Sequence, residues 1–350
     1  ALTPVFYNLI LVCTAIWIAP LYEVPIYAIA WGMFVAGCIQ LLIQIYPLIK
    51  LKLLPNFSLN LNHPGVKKVL YLMIPGIIAG GVSQLNMLVD TILASFLPTG
   101  SPTWLYVSDR LMQLPLGIFA IAIGTVLLPR LSSLHQTDDK EGFSRTMDWS
   151  IRLVLLIGVP SIIGLVLLSE PIILTLFERG EFIASDTRQA SFSLIALALG
   201  LIAFMLIKVL TPGFFARQNP KTPLKVAAAS MVVNAVLAWL LAFYLGFNHV
   251  GLAIASSIAA YFSITILLFI LLKNKIYQVQ KGWIIFLGRI FVASFVMTVI
   301  VNLMNVETFA WRELDQVVRF MQLLLITFSG IASYLAVLWI SGLRLRDLKG

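Results

Sequence analysis

Long apolar runs alternate with short polar breaks along this chain, and the runs have the length of membrane crossings. A spanning helix needs about 20 predominantly apolar residues. Ten segments meet that condition, at roughly 4–20, 26–46, 69–97, 103–129, 150–169, 187–209, 224–245, 250–272, 283–304 and 317–341. The pattern predicts an all-α polytopic membrane protein. The third and fourth segments exceed a simple crossing and are expected to tilt, bend or project beyond the bilayer. Pro75-Gly76, Gly80-Gly81 and Pro115 are the points where those helices loosen. Among the breaks, 47–66 carries Pro55, Asn56, Asn60, Asn62 and Pro64 and is the best boundary between two bundles. The stretch 130–149, with Asp138, Asp139, Lys140 and Glu141, reads as a solvated loop, and 210–223 (LTPGFFARQNPKTP) is dense in turn signals. No low-complexity tract or short-period repeat interrupts the pattern.

Composition agrees with the periodicity. The chain is 60% hydrophobic and 11% charged, against about a quarter charged in a soluble domain. Its net charge of +9 would suggest nucleic acid in a soluble protein. In a membrane protein it follows from the positive-inside rule and anionic inner-leaflet lipids, and no nucleic-acid partner is expected. The charges sort by loop. With the N-terminal end of the chain inside, the inner connections hold Lys50, Lys52, Lys67, Lys68, Arg130, Lys140, Arg145, Arg152, Arg217, Lys221, Lys225, Lys273, Lys275 and Lys281, and the tail holds Arg344, Arg346 and Lys349. The outer connections hold Arg179, Arg188, Arg312 and Arg319, mixed with acids. Both ends of this chain are therefore expected in the cytoplasm. The start at Ala1 shows no signal peptide and suggests a fragment or trimmed chain.

Several classes of chemistry find no support. Cys13 and Cys38 sit in apolar segments, and His63, His135 and His249 fall in separate connecting stretches. Neither set makes a disulfide framework, a metal signature or a triad. There is no Walker loop for ATP. No cofactor is expected.

Charge inside apolar helices is the remaining signal, because it is costly and usually faces a cavity or a partner. The stretch SPTWLYVSDRLMQLPLG (101–117) places Asp109 and Arg110 in the fourth segment, with Gln113 one turn on. The two charges are about 100° apart on a helix and need not pair. Arg110 shares a face with Tyr106 and Gln113, and Asp109 shares one with Gln113. Two readings stand: a hydrated cavity in which Arg110 grips an anionic group such as a phosphate, or an arginine that snorkels to the outer interface with Asp109 as counter-ion. In the third segment (QLNMLVDTILASF), Gln84, Asn86 and Asp90 are polar points, and Asn86 and Asp90 share a face. They can bind a cation or relay a proton, or serve as interhelical hydrogen-bond partners. Asn234, in MVVNAVLAW, poses the same choice. Arg289 and Lys208 near inner helix ends fit snorkelling, with contact to a lipid headgroup as the second reading for Arg289. The small-residue run GLAIASSIAA (251–260) reads as a packing surface.

The run SPTWLYVSDRLMQLPLGIFAIAIGTVLLPRLS resembles the seventh-to-eighth helix region of the MurJ/MviN lipid II flippase family, within the multidrug/oligosaccharidyl-lipid/polysaccharide exporter superfamily. MDWSIRLVLLIGVPS (147–161), LFERGEF (176–182) and KVLTPGFFARQNPKTPLKVA (208–227) extend the resemblance along the chain. It implies the C-terminal portion of a fourteen-helix, two-lobed protein lacking the first four helices. Residues 1–46 would be the last two helices of the N-terminal lobe, 47–68 a cytoplasmic linker, 69–272 a complete six-helix C-terminal lobe, and 273–350 two extra helices and a tail. It further implies a multi-pass protein of the bacterial inner membrane that flips lipid II by alternating access, without being an enzyme. Arg110 would bind the substrate's pyrophosphate, with Asp109 and Gln113 beside it. Asp90 and Asn234 match part of an ion site, so coupling to Na+, H+ or membrane potential is implied. The chain departs from that pattern at Ala238, where an acid is expected. A flippase for another polyprenyl-linked saccharide, a drug/cation antiporter and a non-transporting scaffold for cell-wall synthases are the alternatives.

Overall fold

The computed structural model describes residues 3–51, 67, 84, 87–305 and 308–343; these are helices joined by turns, with no strand among them. The helices are α1 (Thr3–Cys13), α2 (Pro25–Lys50), α3 (helical over 87–95), α4 (Ser101–Gln136), α5 (Lys140–Leu167), α6 (Ser169–Phe177), α7 (Ala184–Phe215), α8 (Lys221–Trp239), α9 (Asn248–Lys273), α10 (Trp283–Met304), α11 (Thr308–Glu313) and α12 (Gln316–Ile340). Among the described residues, eight helices are long and apolar enough to cross a membrane. They coincide with eight of the ten predicted spans. The other two are α4 and the segment at 69–97, most of which lies outside the described residues, as do Pro75-Gly76, Gly80-Gly81, Asn86, most of the 47–66 stretch and the basic tail.

Contacts divide the chain into two compact units, Ala1–Met73 and Ile74–Gly350. In the first, α1 passes through a π turn (Thr14–Ile18) and a 3-10 turn (Ala19–Leu21) before α2 folds back on it. Ala28, Gly32 and Ala36 recur every fourth residue along α2, so two backbones can approach closely there. A Cβ on Gly32 would lie 2.7 Å from the buried Thr14 side chain.

In the second unit α7 is the central post. It packs on α4, α5, α6 and α9, while α8 lies on α9 and α10 pairs with α12 against α5 and α6. The core around it joins Leu127, Leu131 and Met147 to Leu201, Met205 and Phe214, and continues to Leu271 and Tyr277. The outside is as apolar as the inside: Ile284 is 88% and Ile340 82% exposed. Only a lipid surround makes that favourable for so many large side chains.

The connections are shorter than the turn signals predicted. The expected loop at 130–149 is almost wholly helical: α4 runs to Gln136, Asp138 turns the chain in a left-handed conformation (φ 52), and Asp139 caps α5 by accepting from Gly142 N at 2.8 Å. Asp138, Asp139 and Glu141 do face solvent, whereas Asp148 is buried. Likewise α7 runs through Pro212 to Phe215, because Gly213 and Phe214 are buried against Met147 and its neighbours, and Gln218 (φ 54) makes the turn. Burial outweighed the local breakers. His135 and His249 are also helical rather than in connections. His249 is buried at the start of α9, with Nε2 3.1 Å from Gln189 O and its ring 4.7 Å from Trp104. His63 lies outside the described residues.

Two polar clusters fasten the last helix pair. Near the N-terminal end of α5, buried Asp148 accepts from Tyr277 Oη (2.7 Å), Trp283 Nε1 (2.8 Å), Gln280 N (3.2 Å) and Arg152 Nε (2.7 Å). Burial, and then the Asp148 carboxylate, hold the Tyr277 phenol well above its usual range and so neutral. At the opposite end Arg312 reaches Glu178 at 3.1 Å and Glu170 at 3.4 Å. The hydrogen bond with Glu178 raises the Arg312 pKa further.

Candidate functional site

The start of α4 is oriented by one face. Trp104 Nε1 donates to Asp186 Oδ1 on α7 at 2.8 Å, and Ser108 Oγ donates to Ala190 O at 2.7 Å. Val107 and Leu111 are buried against Ile173, Ala190 and Leu194. Positions 104, 107, 108 and 111 form one helical stripe. The opposite stripe is thereby turned away from α7, and it carries Tyr106, Arg110, Gln113 and Leu114, all exposed.

On that stripe the arginine and the acid separate. Gln113 Nε2 donates to Asp109 Oδ2 within the same helix. Arg110 Cζ sits 4.9 Å from the centre of the Tyr106 ring, within cation–π range. No carboxylate lies within 4.0 Å of the Arg110 guanidinium among the described residues. The expectation that neighbouring Asp109 and Arg110 need not pair is met. Asp109 is half-buried and held by an amide, and Arg110 extends its donor fork from an aromatic shelf with no hydrogen bond to it among the described residues.

The second constellation spans three helices. Asn234 Nδ2 on α8 donates to Asp90 Oδ1 on α3 at 2.9 Å. Ser256 Oγ on α9 lies 3.5 Å from Asp90 Oδ2 and 3.3 Å from Asn234 Oδ1. Ala94, Ala238, Ala242, Leu252 and Ala255 form a small core next to it, and their small side chains bring the three helices close enough for the polar groups to meet. Asp90 and Asn234, read separately from the residues and grouped only by the family resemblance, are thus joined by a hydrogen bond. Ser256 was hidden within a run that reads as packing surface, because a serine in an apolar helix carries no sign of which neighbour it meets. Ala238 is fully buried and leaves that corner without a second carboxylate. No group of three His, Cys, Asp or Glu suited to a metal ion occurs among the described residues.

Arg289 lies elsewhere. It is half-buried on α10, with its guanidinium at the end of α12: a Cβ on Gly342 would lie 3.4 Å from Nη2. A cation beside a helix C-terminus is favoured by the helix dipole.

A family model described as lipid II flippase MurJ matches residues 1–332. A probable lipid II flippase MurJ of Vibrio cholerae is 43% identical over 348 residues, covering 99% of this chain and 66% of the relative. That of Haemophilus influenzae is 39% identical, covering 99% and 68%. This chain spans about two thirds of the length of these relatives. A solved lipid II flippase MurJ in an inward closed conformation superposes with a TM-score of 0.77 at 27% identity, covering 99% of this chain and 68% of that one. An outward-facing multidrug resistance MATE family transporter of the MOP superfamily, at 17% identity and TM-score 0.53 over 77% of this chain, shares the fold. On the family model, the identities and the superposition together, the chain belongs to the lipid II flippase MurJ family.

Proposed function

We propose that this chain is the C-terminal part of a flippase that carries lipid II from the inner to the outer leaflet of the bacterial cytoplasmic membrane, for cell-wall synthesis. The observation that carries the reading is Arg110: an exposed guanidinium on α4, seated over Tyr106 and in no ion pair among the described residues. A planar fork of donors matches two oxygens of a pyrophosphate. Gln113 hydrogen-bonds Asp109, which forms no direct ion pair with Arg110 and is placed to orient the bound headgroup. The polyprenyl tail stays in lipid along the apolar outer faces of α10 and α12, where Phe291, Phe295 and Phe328 are exposed. Arg289, at the α12 end, is placed to meet a lipid headgroup.

The protein acts as a transporter and does no covalent chemistry. Alternating access of the two lobes draws on an ion gradient or the membrane potential. Asp90, with Asn234 and Ser256, is the group that binds Na+ or H+. The N-terminal end of the chain and the C-terminus face the cytoplasm, in keeping with the basic inner connections.

The test uses the complete reading frame in cells depleted of their own lipid II flippase. Wild type is expected to restore growth, and Arg110→Ala at equal membrane level to fail. Rescue by both would remove Arg110 from substrate binding. Failure of well-expressed wild type would reassign the substrate to another polyprenyl-linked saccharide.

A further inference from the structure

The carboxylate of Asp148 is the most fully engaged charge in the described structure, and the site above makes no use of it. Its side chain is 4% exposed. A buried carboxylate costs several kcal/mol unless it is paired and fully hydrogen-bonded. Apolar residues would hold two helices together without that cost. Here four donors converge on it, two from the stretch that joins α9 to α10, Tyr277 Oη and Gln280 N, and one from the first residue of α10, Trp283 Nε1. The fourth, Arg152, also donates from Nη2 to Lys281 O at 2.9 Å and lies over the rings of Trp283 (5.1 Å) and Phe286 (5.5 Å). One turn back, Ser144 Oγ donates to Gln278 O at 3.1 Å and accepts from Gln278 N at 2.8 Å.

Further ties lie along the pair. Tyr334 Oη of α12 donates to Leu156 O of α5 at 2.9 Å. At the far end Arg312 binds Glu178 and Glu170, and Asn305 Nδ2 donates to Leu167 O at 3.4 Å. In lipid, apolar packing alone gives little resistance to one helix sliding on another, since the tails are as apolar as the interface. Directional ties at both ends and in the middle remove that freedom.

We propose that Asp148 is a positioning residue for transport. Through the clamp on 277–283 it fixes α10 and α12 to α5, so that the helix pair moves with the lobe as one body throughout the cycle. The apolar faces beside the lipid tail then keep a constant relation to α4 and its arginine while the headgroup crosses. This rests on the flippase reading for its functional consequence, whereas the rigid coupling stands on geometry alone.

The experiment uses the full-length protein with its native cysteines, Cys13 and Cys38 among them, replaced by Ala. Ser144→Cys with Gln278→Cys allows a short cross-link across the clamp. The cross-linked protein is expected to flip lipid II in vesicles within about twofold of the uncross-linked one. Asp148→Ala and the milder Arg152→Gln and Tyr277→Phe are expected to lower transport at unchanged membrane level, by about tenfold or more for Asp148→Ala, the scale on which misplacing a supporting element costs rate. Cross-linking is expected to restore the loss in Asp148→Ala protein whose thermal-unfolding midpoint before cross-linking matches wild type, which separates lost positioning from general destabilisation. In parallel, spin labels at Glu141→Cys and Val279→Cys, both exposed positions, are expected to give one narrow distance distribution with and without lipid II, broadened in the Asp148 and Arg152 variants. Loss of transport on cross-linking, or distances that shift with lipid II, would overturn the proposal. If the wild-type protein moves no lipid II, the flippase reading fails, and the distance measurement still decides whether the clamp is rigid.

Discussion

Asp109 and Asp90 are two acids in apolar helices, and the structure settles them in different ways. Asp109 takes its partner from one turn along its own helix, so its hydrogen bond to Gln113 forms wherever α4 forms. Asp90 depends on Asn234 and Ser256 from two other helices, so its environment changes whenever α3 moves against α8 and α9. A carboxylate that senses helix packing is suited to couple an ion to a conformational change, and one solvated by its own helix is not. Asp90→Asn keeps the shape and removes the charge. It is expected to abolish the stimulation of transport by an imposed Na+ or proton gradient while leaving membrane level and lipid II binding within about twofold. Transport in vesicles with and without each gradient measures this. Stimulation that persists in Asp90→Asn would take the coupling role from this residue. The same two acids show what the sequence could reveal. The i, i+4 spacing of Asp109 and Gln113 is visible along one helix. The meeting of Asp90 with Ser256 depends on an approach of separate helices that no local pattern encodes.

Among the elements, α9 shows how closely these helices pack. Gly251 faces the π turn that ends α8 (Leu240–Tyr244), and a Cβ there would lie 2.7 Å from Ala242 N and from Leu241 C. Backbone cannot yield as a side-chain tip can. Gly251→Ala is therefore expected to destabilise the protein by about 1–3 kcal/mol, read as a lower midpoint in thermal unfolding of the detergent-solubilised full-length protein. Unchanged stability would mean that the π turn relaxes to admit the methyl group. Gly288 has nothing within 4 Å of such a Cβ, and Gly288→Ala serves as the control. The number and order of apolar elements were legible because period and length alone define them, and α10 begins and ends where its apolar run does (Trp283–Met304). The ends of α4 and α7 were not. Gly213 and Pro212 are breakers in water, yet Gly213 and Phe214 pack into the core around Met147, and the helix continues to them. The Asp148 clamp escaped notice for a related reason. Its donors Tyr277, Gln280 and Trp283 come from a stretch more than a hundred residues away, and an acid four residues before Arg152 looks on sequence like an ordinary surface pair.

For the whole molecule, orientation follows from where the cations lie once the helices are drawn. The turns at 137–139, 216–220 and 274–282 sit at ends of α4, α5, α7, α8, α9 and α10 and carry or adjoin Lys140, Arg145, Arg217, Lys221, Lys273, Lys275 and Lys281. The opposite ends carry Glu178, Glu181, Asp186, Glu313 and Asp315, and two of their arginines are committed: Arg312 to Glu178 and Glu170, and Arg319 to the carbonyls of Arg312 and Leu314. Lys and Arg in short loops near the helix ends set orientation by resisting translocation, whereas acids contribute little. On this asymmetry we propose that the first set of turns lies in the cytoplasm and α11 outside. Asp138→Cys and Glu181→Cys, each at an exposed position, distinguish the two faces. In intact cells expressing the full-length protein with all its native cysteines replaced, a membrane-impermeant maleimide is expected to label position 181 and to reach position 138 only after the membrane is opened. The reverse pattern would invert the protein and put the Arg110 stripe near the inner leaflet at the start of α4. A headgroup carried outward would then meet that arginine on entry, whereas the orientation proposed here has it meet Arg110 late in the crossing, close to release.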